Sequence, residues 1–61
     1  MTREEFRELD RTLAKLQDCD LSAWDRDFVD DMVKRIGRYE EKTFVSAKQW
    51  EQIERMKGQY L

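Results

Sequence analysis

Histidine and proline are absent from this 61-residue sequence, glycine occurs twice and cysteine once. Each scarcity removes a class of function. Without histidine, no Ser-His or Cys-His nucleophile pair can form. With a single cysteine besides, the usual Cys/His zinc patterns are excluded, and Cys19 has no partner for an internal disulfide. Paired carboxylates could still do acid–base work, but so short a chain leaves little room for a substrate pocket of roughly 300 Å³ or more. The expectation is a non-enzymatic protein without a cofactor. No apolar run approaches the ~18 residues of a membrane span. The first residues, Met1-Thr2-Arg3-Glu4-Glu5, are charged and lack the apolar core of a signal peptide. A cytoplasmic location with a reduced thiol, and no membrane contact, is therefore expected.

What the sequence does have is charge and helical periodicity. Charged residues make up 43% of the chain and hydrophobic ones 39%, with 12 bases against 14 acids and a net charge of −2. Three stretches carry apolar residues at helical spacing, each preceded by an N-cap signal. Thr2-Arg3-Glu4-Glu5 and Ser46-Ala47-Lys48-Gln49 are full capping boxes, and Ser22-Ala23-Trp24-Asp25 is a weaker one. Met1 with Phe6, and Val45 with Trp50, stand at hydrophobic-staple positions. These signals predict a single all-α, three-helix domain over residues 1–61, with helices at 2–17, 22–37 and 46–57.

The first helix offers Phe6, Leu9, Leu13 and Leu16, a narrow stripe at spacings of 3, 4 and 3. The second offers Trp24, Phe28, Met32 and Ile36, flanked by Val29 and Val33, and reads as the central helix touching both others. Asp30→Lys34 and Asp31→Arg35 are favourable i,i+4 pairs, whereas Asp27→Asp31 repels. Gly37 belongs at the end of the second helix or in its last turn, and Gly58 fits the position just past the third. Phe44 and Val45 are expected to seal the core as the third helix begins, leaving Tyr60 and Leu61 to fold back or hang free.

Charge is distributed unevenly. Residues 18–31 carry six Asp and one Arg, whereas residues 32–61 carry seven bases and four acids. Asp20, Asp25, Asp27, Asp30 and Asp31 therefore form a candidate docking surface for a basic protein partner. Trp24 is either core or the aromatic anchor of that surface. Lys34, Arg35, Arg38, Lys42 and Lys48, with Tyr39 and Phe44 interleaved, form the alternative, a nucleic-acid-binding patch. A third reading pairs the Phe6-Leu9-Leu13-Leu16 stripe with its copy in a homodimer. Asp18-x-Asp20-x-Ser22 has the opening spacing of an EF-hand loop, but Ala23 and Val29 occupy the required glycine and glutamate positions, so it reads as a polar helix start. Cys19, between two aspartates, reads as structural.

The string Leu21-Ser22-x-Trp24-Asp25-x-x-Phe28-Val29, followed by Phe44-x-Ser46-x-Lys48-Gln49-Trp50-x-x-Ile53, resembles small helical segments of phage and prophage proteins. Those segments open on L-S-x-W-E/D-x-x-F and continue, after a charged connection, into S/T-x-K-Q. The resemblance covers roughly residues 21–56, outside the first helix. It implies a phage-type accessory protein working in a bacterial host cytoplasm, and it carries over no catalytic residue. The combined expectation is a small accessory or regulatory protein that docks on a larger protein through its acidic helix surface.

Overall fold

A computed structural model describes every residue from Met1 to Leu61. Three α-helices follow one another: α1 over Arg3–Gln17, α2 over Ala23–Tyr39 and α3 over Ala47–Tyr60, with a 3-10 turn at Glu40–Lys42 between the last two. There are no strands. The fold is a small all-α three-helix domain. No helix is long and apolar enough to cross a membrane.

The start signals operate as local chemistry. Thr2 and Ser46 each accept a hydrogen bond from the amide three residues on, and Glu5 and Gln49 reach back to the N-cap amides at 2.9 Å. Both capping boxes are thus complete. Ser22 accepts from the Asp25 amide at 3.2 Å, but the return bond is missing because the Asp25 carboxylate is used elsewhere.

The core consists of Leu9, Leu13 and Leu16 of α1, Leu21 of the first loop, Val29, Met32 and Ile36 of α2, and Ile53 and Met56 of α3. α1 therefore packs on the other two helices, and the chain's radius of gyration, 10.7 Å, matches the roughly 10.5 Å expected of a folded chain this long. α1, not α2, is the central helix. Its backbone approaches both neighbours, whereas α2 and α3 meet through side chains.

Several expectations are corrected. The stripe of α1 lies inside the domain's own core, with Leu9, Leu13 and Leu16 at most 2% exposed, so it is not a free surface for pairing with a second copy. The buried face of α2 runs through Asp25, Val29, Met32 and Ile36, leaving Trp24 79% exposed. The reason is geometric. A row of i,i+4 steps advances roughly 40° round the helix per step, so Trp24 to Ile36 drifts through about 120° and cannot all face one core. Gly37 stands in the last turn of α2, as expected, whereas α3 passes Gly58 to end at Tyr60, whose hydroxyl is anchored on α2.

The connection before α3 also differs. Glu40 takes φ 52°, ending α2, while its amide still donates to the Ile36 carbonyl. The Thr43 hydroxyl donates to the Arg35 carbonyl at 3.3 Å and Thr43 is buried. In an extended segment neighbouring side chains point to opposite sides. Thr43 and Val45 therefore turn inward, and Phe44 turns out, 79% exposed.

Candidate interaction faces

α2 divides the predicted acidic residues between two environments. Successive residues turn by roughly 100°, which places Trp24, Asp27 and Asp31 within an arc of about 60° on the outer face. Asp30 stands further round the same exposed side. Asp20, in the loop before the helix, is also exposed. Asp31 is held by Arg35 at 3.1 Å, both side chains about half exposed (57% and 48%). The other favourable pair, Asp30 with Lys34, does not close into an ion pair. Asp27 and Asp30 are left without a salt-bridge partner.

Asp25 is not part of this surface. It is 4% exposed and belongs to a polar clasp between the start of α2 and the end of α3. The Tyr60 hydroxyl donates to Oδ2 at 2.6 Å, while Arg55 and Gln52 donate to Oδ1 at 2.9 and 3.3 Å. The Tyr60 hydrogen bond, followed by the Arg55 hydrogen bond and charge, holds the Asp25 carboxyl below its usual range against the opposing effect of burial. Arg55 is further oriented by Gln52 and Gln59. Such a clasp satisfies every donor aimed at a buried carboxylate, and no buried side-chain polar atom in the domain lacks a partner. Asp25 is therefore a structural ion rather than a docking residue. Its signal was present in the sequence, since an acid in register with Val29, Met32 and Ile36 must find donors. Gln52, Arg55 and Tyr60 of α3 supply them.

The bases lie in the second half of α2 and beyond it. Lys34, Arg35 and Arg38 on α2, Lys42 in the 3-10 turn and Lys48 in the first turn of α3 are all exposed. Two aromatics stand among them: Tyr39, 54% exposed, and Phe44. The Arg38 guanidinium lies 6.0 Å from the centre of the Tyr39 ring, within cation–π range. Arg35 is partly neutralised by Asp31, and Glu40 and Glu41 interrupt the bases. From Trp24 to Tyr39 the helix rises roughly 22 Å, so these two exposed aromatics stand at opposite ends of α2, and the acids and bases meet between them where Asp31 pairs with Arg35.

Trp50 is the buried counterpart of Trp24. It packs half-buried against the core with Val45, as a staple requires. Cys19 donates weakly to the carbonyls of Lys15 at 3.4 Å and Tyr60 at 3.8 Å, and is a partly buried structural thiol joining the first loop to the end of α3. Asp18, Asp20 and Ser22 do not build a cation site, and no group of three or more His, Cys, Asp or Glu side chains converges anywhere in the fold.

No protein-family model, no curated protein and no solved structure matches this chain.

Proposed function

We propose that this is a non-enzymatic binding protein that docks on a basic surface of a larger protein through the outer face of α2. The observation that carries the reading is Trp24, 79% exposed in the first turn of α2 beside Asp27 and Asp31. A helix start has electrostatic use for acids. It has no use for an indole in water, which costs hydrophobic free energy and which interfaces recruit as an anchor. The surrounding carboxylates steer a cationic partner and keep mismatched ones away. On this reading Trp24 fills a pocket on the partner, Asp27 and Asp31 meet its Lys or Arg residues, and Asp20 and Asp30 extend the negative field. The resemblance over residues 21–56 fits a phage-type accessory role.

Replacing Trp24 with a photo-crosslinking phenylalanine analogue tests the proposal, with the same analogue at exposed Gln17 as control. A discrete protein adduct at position 24 and none at position 17 is expected. Adducts at both positions, or at neither, would contradict it.

The exposure of Tyr39 and Phe44 among bases favours a second reading, single-stranded nucleic acid stacked on the two rings with its phosphates on Arg38, Lys42 and Lys48. It predicts affinity for a labelled oligonucleotide that falls steeply with salt and weakens in Lys34→Ala/Arg38→Ala. No binding at low salt would eliminate it. The net charge of −2 places it second.

A further inference from the structure

A cleft between α1 and α3 takes no part in the docking face. It is open to solvent and has a volume of about 310 Å³, more room than the chain length led one to expect, and none of its lining residues lies on α2. The floor is mainly apolar: Leu9 and Ile53 are each 2% exposed, with buried Thr12 and half-buried Trp50 beside them. The rim is charged and unbalanced. Glu5 and Glu8 come from α1, and Glu54 and Lys57 from α3. Lys57 is engaged by Glu54 at 3.8 Å, whereas neither Glu5 nor Glu8 has a cationic partner. The hydrogen bonds from Thr2 keep the Glu5 carboxyl below its ordinary range, so it stays ionised. The cleft thus offers two uncompensated carboxylates above an apolar floor and an indole.

Those features complement one side chain better than any other. An arginine has a methylene stem that packs on apolar surface. Its planar guanidinium pairs with carboxylates and stacks on an indole. The volume lies at the lower end of the roughly 300–1,000 Å³ of ligand pockets, ample for one side chain. We propose that the α1–α3 cleft receives an arginine side chain presented by a partner protein. The stem lies against Leu9, Ile53 and Trp50, and the guanidinium against Glu5 and Glu8. The site is independent of Trp24 and the α2 acids.

A titration with N-acetyl-arginine amide, followed through the indole N–H resonances of Trp50 and Trp24, tests it. The Trp50 resonance is expected to shift and saturate while that of Trp24 stays still, and N-acetyl-glutamine amide is expected to move neither. Glu8→Gln, a substitution at an exposed position, should weaken the response about fivefold, the scale of one partly exposed charge or cation–π contact. Asp27→Lys/Asp31→Lys should leave it unchanged, which separates this site from the docking face. A shift that does not saturate, that both indoles share, that the glutamine compound reproduces or that survives Glu8→Gln would overturn the proposal.

Discussion

Asp25 ties two helix ends together with one carboxylate, and its protonation is therefore linked to folding. The folded carboxyl titrates below its ordinary value of 3.8, so the folded state binds its proton less readily than the unfolded one. The resulting stabilisation is fully present above the unfolded value and is lost as pH falls through the folded one. Glu5, lowered in the same way by Thr2, contributes with the same sign. Melts recorded from neutral pH down through the carboxylate range should show stability falling, and Asp25→Asn should flatten part of that fall. At neutral pH, Asp25→Asn should also lower the melting temperature more than Asp27→Asn, because Asp27 is exposed and has no salt-bridge partner. Equal effects would mean that the clasp contributes nothing. Glu40 makes the opposite prediction. A side chain at φ 52° is strained by about 1–2 kcal/mol, and glycine relieves that strain. Glu40→Gly should raise the melting temperature, and a drop would show that the turn depends on the glutamate itself. Glu40 was not legible in the sequence, because a glutamate carries no mark of a left-handed backbone.

The helices rest on caps and on one face each. Ser46→Ala removes the hydroxyl that accepts from Gln49 and should cost about 1 kcal/mol. Leu13, 1% exposed, should cost ~2–5 kcal/mol as alanine, enough to unfold a domain of this size. Gly37 and Gly58 lie within helices at negative φ, and a Cβ added at either meets nothing within 4 Å. Gly37→Ala and Gly58→Ala should each stabilise by roughly 0.4–1 kcal/mol through helix propensity and lost unfolded-state entropy. Thermal melts read all four. The caps and the core faces of α1 and α3 were legible because their chemistry is local and their apolar residues recur at short helical steps, 3, 4 and 3 in α1 and 3 and 3 from Trp50 to Met56 in α3. α2 was legible only in part, because its apolar residues form two overlapping rows. The inward row includes Asp25, whose donors on α3 lie 27 to 35 residues away in sequence. Gly58 misled for a related reason. Glycine past a helix end is a common stop signal, but here the anchored Tyr60 keeps the last turn of α3 wound.

At the scale of the molecule, the core absorbs the α1 stripe, the clasp absorbs Asp25, and what remains outside is asymmetric. Trp24 with Asp27 stands toward the start of α2, Tyr39 and Phe44 with Arg38 and Lys42 at and beyond its end, on a body only 28 × 19 × 19 Å. The exposures of Trp24 and Phe44 were the least legible features, since a large aromatic at helical spacing or beside an N-cap reads as core until the packing is seen. The claim that Trp24 and the α2 acids form the working surface is tested most directly by affinity capture from nuclease-treated bacterial lysate. The wild-type protein is compared with Trp24→Ala/Asp27→Lys/Asp31→Lys and with Lys34→Ala/Arg38→Ala, all three verified as folded by circular dichroism. The account predicts a protein retained by the wild type and by the basic-end variant and lost by the acidic-face variant. A protein that the acidic-face variant still retains, or one that the basic-end variant alone loses, would contradict it.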